Sequence, residues 1–297
     1  MESTVFSVVI PTFNRGDRLV VALDSLVAQT YKNFEVLVCD DGSTDCTRDV
    51  VEGYKKLLDL TYIWKENWGG PARPRNCGIK ASKGEWICFL DSDDWWYPEK
   101  LEKCLIHLAD NNLIYHDLDV YSAKQKRPER TLGSWTVKNE VFNDLMIRGN
   151  AINNSSVVVK KELLLRVNCF SEEKELKFVE DYDCWLKISL IDNKFYFIPN
   201  SLGGYWMGDN ASSASIRTIE SMKYVYEKFQ YKLGTDEKIK ALSNFNFTIG
   251  LLYYTMHHYE SAIGYFKKSL RRKTLFRKYQ CVKFIVICIV LNFRKNR

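Results

Sequence analysis

Three carboxylates stand within four positions at Asp91-Ser92-Asp93-Asp94, directly after the apolar run EWICFL (85–90) and just before Trp95-Trp96. Like charges this close repel, so a segment that keeps all three calls for a cation. Hard divalent ions such as Mg2+ or Mn2+ prefer carboxylate oxygens and often complete their shell with substrate phosphates. A metal bridging a protein carboxylate and a diphosphate neutralises the charge on a departing nucleoside diphosphate. The chemistry this cluster points to is group transfer from a sugar nucleotide, with a divalent cation as the clamp.

The elements around the cluster must bring it together with other groups. VFSVVI (5–10), FEVLVC (34–39), LTYIW (60–64) and EWICFL (85–90) read as strands. Between them, 16–29, 44–58 and about 73–82 carry helical spacing, with Thr44 placed to cap the second helix, and Pro98 opens a further helix to about 110. Short strands alternating with helices predict a mostly parallel sheet flanked by helices, an α/β Rossmann-like fold. In such sheets ligands bind beyond the carboxyl ends of the strands. Pro11-Thr12-Phe13-Asn14 follows the first strand, Asp40-Asp41-Gly42-Ser43 the second, and the three carboxylates the fourth. Each alone reads as a polar turn, but all three at one sheet edge read as a site. There is no G-x-x-x-x-G-K-[ST] and no G-x-G-x-x-G after the first strand, so neither a P-loop nor a dinucleotide fold is expected.

Composition narrows the class. The chain has 297 residues and a net charge of +6. Eleven basic residues and no acids lie beyond Glu260, so the body is mildly acidic and the tail strongly basic. The nine cysteines are odd in number and form no C-x-x-C, which predicts reduced, buried thiols. His107, His116, His257 and His258 do not join them at ligand spacing, so zinc catalysis is not expected. An acid at Glu2 and no basic region before the first apolar run do not fit a signal peptide.

VVIPTFNR, EVLVCDDGSTD, PARPRNCGIKASKGEWICFLDSDD and FVEDYDCWLKI resemble the successive motifs of family 2 glycosyltransferases, inverting enzymes with the GT-A fold, over about residues 5–210. The resemblance implies that Pro11, Thr12, Asn14 and Ser92 line the nucleotide pocket and that Asp41 accepts a hydrogen bond from uracil. It further implies that Arg75 lies near the ribose or diphosphate, that Asp91 faces the ribose or metal shell, and that Asp93 ligates the Mn2+ or Mg2+. Asp94 would support the loop. An inverting transfer also needs a base for the acceptor hydroxyl. Glu180-Asp181 opens an amphipathic helix, where acids can equally serve the helix dipole. The family pattern puts the base at Asp181, with Glu180 supporting and Asp183 the alternative. In YWMGDNASSAS (205–215), Trp206 and Gly208 stand where the family often has Arg and His, leaving Ser212 and Ser213 as weak phosphate contacts.

The transferase domain is expected over 1–215, followed by a helical extension over 216–297. Residues 246–270 resemble one tetratricopeptide-type hairpin. FIVICIVL (284–291) is apolar on all sides, too short to span a bilayer, and flanked by basic residues. That pattern predicts an interfacial anchor on an anionic membrane, the cytoplasmic face of a bacterial inner membrane, rather than nucleic-acid binding. The expected reaction adds one β-linked hexose, galactose or else glucose, from a UDP-sugar to GlcNAc-diphosphoundecaprenol, a lipid-linked sugar acceptor, in O-antigen or capsule assembly. The alternatives are transfer to a soluble or protein acceptor, or a non-catalytic nucleotide-binding relative.

Overall fold

The computed structural model describes residues 5–123, 127–208, 215–270 and 275–295. The strands are β1 (Phe6–Thr12), β2 (Phe34–Asp40), β3 (Leu60–Trp64), β4 (Trp86–Phe89), β5 (Trp95–Trp96), β6 (Leu113–Tyr121), β7 (Arg130–Leu132), β8 (Val158–Lys160) and β9 (Phe195–Trp206). The helices are α1 (Gly16–Val27), α2 (Thr47–Tyr54), α3 (Ala72–Ala81), α4 (Lys100–Leu105), α5 (Val141–Arg148), α6 (Lys161–Arg166), α7 (Glu180–Ser189), α8 (Ile216–Phe229), α9 (Thr235–Thr255), α10 (Tyr259–Ser269) and α11 (Leu275–Lys295).

The chain divides into two compact units. The first comprises Met1–Asn139, Ala151–Glu172 and Glu180–Asn210 and holds the whole sheet. Strand order is β3-β2-β1-β4-β8-β6-β9-β5, with β7 on β6. The block β3-β2-β1-β4 is parallel, and β8 joins β4 antiparallel. β1 and β2 are buried at every residue, as central parallel strands covered on both faces must be. α1 turns Leu19, Ala22, Leu23 and Leu26 onto the Phe6, Val8 and Ile10 face of β1.

α3 reaches the sheet through Gly78. A Cβ there would stand 2.5 Å from Val9 Cγ1 and 2.9 Å from Cys39 Sγ, both side chains in the buried core. Gly78→Ala is therefore expected to destabilise the first unit by about 1–3 kcal/mol, the usual scale for overpacking, despite alanine's better helix propensity. A thermal midpoint equal to or above wild type would show that this contact can give.

Two sequence expectations change in detail. α2 begins at Thr47, because Asp45 Oδ1 accepts both the backbone N–H and the hydroxyl of Thr47, at 3.0 and 2.5 Å. Thr44 is not the cap: the helix starts three residues further on, and the Thr44 N–H instead donates to Asn14 Oδ1 at 2.8 Å. All nine cysteines are free, yet Cys46 is exposed and Cys77 only half-buried, so not every thiol is sequestered.

The second unit comprises Glu140–Asn150, Glu173–Val179 and Ala211–Arg297. α9 and α10 form a hairpin turning at His257, whose φ is +60°. Gly250 lets the two helices approach: a Cβ would lie 2.7 Å from the Phe266 ring. α11 has two different faces. Cys281 and Cys288 are buried with Phe247 and Phe266, and Phe284 stacks on Phe266 at 5.4 Å. Tyr279, Val282, Val286, Ile289, Val290 and Phe293 are exposed. The run 284–291 is thus partly core, because a helix in contact with a hairpin must bury one side. Among the described residues no helix is long and apolar enough to cross a membrane.

Candidate active site

The site gathers at the carboxyl ends of β1, β2 and β4 in the first unit. β1 delivers Pro11 and Thr12 as strand residues. Asn14 follows in the left-handed region at φ +48°, a conformation asparagine tolerates. Besides holding Thr44, Asn14 donates its backbone N–H to Ser43 Oγ at 2.8 Å, tying the first loop to the second. At the end of β2, Asp40 accepts the Ser43 N–H at 2.8 Å and the Tyr62 hydroxyl. Asp41 is buried and accepts the N–H groups of Trp68 at 3.0 Å and Gly69 at 2.9 Å, one on each oxygen. A carboxylate has about four acceptor positions, so Asp41 can take a further donor while it shapes the 67–69 loop.

After β4 the three acids separate into different environments. Asp91 Oδ1 accepts from Arg75 Nη2 at 2.7 Å and from Asn154 Nδ2 at 3.2 Å. Ser92 is buried. Asp93 Oδ2 pairs with Arg15 Nη1. Burial and the neighbouring Asp91 raise the Asp93 carboxyl above its ordinary value, with Arg15 opposing. Asp94 is fully enclosed, accepting Ser155 Oγ at 2.6 Å and the Trp206 N–H at 2.9 Å. Burial raises its carboxyl well above the usual range, and the other two acids add to it.

Arg75 on α3 joins this loop to the start of α7. Its two Nη atoms lie 2.7 Å from Asp91 Oδ1 and 2.7 Å from Glu180 Oε1. Burial works against its charge, but Asp91 and Glu180 more than offset that, so its pKa lies above the ordinary arginine value. Arg75 therefore bridges two carboxylates rather than standing free beside them. Removing one partner of such a buried pair typically costs about 3–5 kcal/mol.

Asp181 follows Glu180 in the first turn of α7 and accepts the Tyr182 N–H at 2.7 Å. Burial and the adjacent Glu180 push its carboxyl up to about 7, against the pull of Arg75. Asp183 is two residues on, about 200° around the helix. It is fully buried and 3.2 Å from Lys187 Nζ. Ser212 and Ser213 lie outside the described residues.

The donor set suits a hard divalent ion. Asp91 and Asp93 offer carboxylate oxygens, while no group of three or more metal-ligating side chains converges among the described residues. One or two carboxylates from the protein, with the remainder from a diphosphate and water, is the usual Mg2+ arrangement.

Sequence reasoning passed over Arg15, Arg18 and the 154–155 pair. Arg18 lies over the Trp206 ring, 4.1 Å from guanidinium carbon to centroid. The available signal was position: both arginines follow the first polar motif within one helical turn. The run Asn153-Asn154-Ser155-Ser156 was likewise a polar signal, forming the 3-10 turn that braces Asp91 and Asp94.

Comparison with known proteins bears on the family and the fold. An uncharacterized glycosyltransferase of Rickettsia prowazekii is 27% identical over 80% of this chain and 75% of its own. The UDP-Glc:alpha-D-GlcNAc-diphosphoundecaprenol beta-1,3-glucosyltransferase WfaP of Escherichia coli is 31% identical over 61% of this chain and 69% of its own. Among solved structures, S. aureus TarS 1–349 in complex with UDP-GlcNAc superposes with a TM-score of 0.68 at 19% identity, covering 99% of this chain and 92% of that one. The mannosyltransferase PcManGT of Pyrobaculum calidifontis, in complex with GDP-Man and Mn2+, gives 0.64 at 16% identity over 99% and 83%. The family description Glycosyl transferase family 2 matches residues 7–167, more than half of the sequence. With its motifs assembled at one sheet edge, the chain belongs to glycosyl transferase family 2, adopts the GT-A fold and is a glycosyltransferase.

Proposed function

We propose that the protein is an inverting hexosyltransferase that moves one hexose, galactose or glucose, from a UDP-sugar to GlcNAc-diphosphoundecaprenol, forming a β linkage, by analogy with WfaP β-1,3. The observation that carries the reading is the Arg75 bridge, which ties the Asp91 loop to the helix start that bears Asp181. The name of WfaP supports this acceptor class, and the UDP-GlcNAc complex of TarS supports the donor class.

Asp181 accepts the proton of the acceptor hydroxyl as that oxygen attacks C1 of the sugar. The C1–O bond to the diphosphate breaks as the new glycosidic bond forms, so configuration at C1 inverts, and UDP leaves with the electron pair. Glu180, paired with Arg75, orients the first turn of α7. Asp41, Thr12 and Asn14 border the nucleoside position at the ends of β1 and β2. Asp93 and Asp91 would hold a divalent ion, which when bound supplies charge stabilisation to the departing diphosphate. The Mn2+ complex of PcManGT supports a divalent ion in this fold. The test is a panel of UDP-sugars against GlcNAc-diphosphate-lipid analogues, with linkage read by NMR. Hydrolysis without transfer to any analogue would overturn the acceptor, and no reaction with any UDP-sugar would overturn the donor.

The lipid carrier places the enzyme at an anionic membrane surface, and the exposed face of α11 is the proposed contact. Lys278 and Lys283 are exposed along with its apolar residues. Each basic residue near an anionic leaflet contributes about 1 kcal/mol of binding. Removing 271–297 would also uncover the Phe266 core, so surface changes are the cleaner probe. Val286→Glu with Ile289→Glu is expected to abolish sedimentation with phosphatidylglycerol vesicles, and wild-type binding should weaken steeply with salt. Equal binding by variant and wild type would remove this face from the reading.

A further inference from the structure

The carboxylate-rich loop has a cationic counterpart on α1. Arg15 is the residue just before α1, and Arg18 lies in its first turn. Arg15 pairs with Asp93, and Arg18 lies over the Trp206 ring. Trp206 in turn donates its backbone N–H to Asp94 Oδ1 at 2.9 Å. Arg15 thus contacts Asp93 directly, while Arg18 lies on the side chain of the residue whose backbone bonds Asp94. At the end of β1 the Thr12 hydroxyl is buried with no hydrogen-bond partner among the described residues.

A nucleoside diphosphate brings at least two negative charges to a place already holding Asp91, Asp93, Asp94, Glu180 and Asp181. Arg75 cannot answer them, because both its Nη atoms are committed to carboxylates and its side chain is only 4% exposed. Arg15 and Arg18 are differently placed. The Arg15 side chain is 32% exposed and shares one Nη atom with Asp93. Arg18 is exposed, and stacking uses the face of a guanidinium while leaving its N–H edge directed outward. A guanidinium whose carbon lies over an indole still has N–H groups to offer in the fork geometry that phosphate oxygens accept.

We propose that Arg15 and Arg18 are the protein's own cationic contacts to the donor diphosphate, Arg15 exchanging Asp93 for a phosphate oxygen and Trp206 serving as the platform that aims Arg18. The assignment rests on the UDP-sugar reading above and adds the residues that recognise its phosphates.

Calorimetric titration of the full chain with UDP and with uridine, at saturating Mg2+, separates the two. Arg15→Ala and Arg18→Ala are each expected to weaken UDP about tenfold or more, the scale of losing hydrogen bonds to a charged group, and to leave uridine affinity unchanged. Arg18→Lys should not restore UDP binding, because a point charge lacks the planar fork, whereas Arg15→Lys should restore part of it. Unchanged UDP affinity in both alanine variants would overturn the assignment. So would an equal loss for uridine, which marks a structural effect on the pocket. If the wild-type chain binds no UDP at all, the donor reading itself falls, a result distinct from either.

Discussion

Replacing Asp181 with Asn is expected to lower sugar transfer by about 10²–10⁴-fold, the range contributed by a general base, while UDP affinity stays close to wild type. The amide is isosteric, so its oxygen can still accept the Tyr182 N–H that the carboxylate accepts at 2.7 Å. What it loses is basicity. The same residue sets a pH dependence whose sign follows from its environment. Burial and Glu180 push the Asp181 carboxyl up to about 7, so below that value it is protonated and cannot take the acceptor's proton. The rate constant kcat/KM should therefore fall as pH drops through about 7 and level off above it, and this limb should vanish in the residual activity of Asp181→Asn. A UDP-binding loss as large as the rate loss would show that Asp181 is structural. A rate flat from pH 5 to 8 would remove it as the base.

Asp93→Ala is expected to cost about 10²-fold or more in transfer, the scale of deleting one well-placed electrostatic group at the reacting centre. The fold should survive, because the Asp93 side chain is tied to the rest of the site through Arg15 and sits at the partly open end of β4. Far-UV circular dichroism and the thermal midpoint check that. The same reading requires excess EDTA to suppress wild-type transfer and added Mn2+ or Mg2+ to restore it. Full activity in EDTA would detach the carboxylate loop from metal chemistry. Asp94→Ala is a useful contrast: its carboxyl is enclosed by Ser155 and the Trp206 N–H, so its loss should appear first in stability.

How much of this was legible in the linear chain depended on whether the cause was local. Strands β1 to β4 and the helices between them follow from apolar periodicity and from turn residues a few positions away. The rule that ligands gather beyond the strand ends then puts Thr12, Asp41 and Asp91 on one edge. Pairings across the chain had no such local cause. Arg75 meets Glu180 across 105 positions, and Arg15 meets Asp93 across 78. Nothing in their neighbourhoods says that one arginine would be enclosed between two acids and the other left near the surface; that follows from how α3, α1 and α7 close on the sheet. The apolar run of α11 makes the same point. Its residues are apolar all round, so sequence alone could not divide it, and only packing against Phe247 and Phe266 decided that Cys281 and Cys288 turn inward while Val286 and Ile289 remain exposed. Composition and spacing determined which elements form and which chemistry they carry, because those depend on neighbours along the chain. Which charge meets which was decided by tertiary structure, because burial removes water from a particular pair only once the elements have packed.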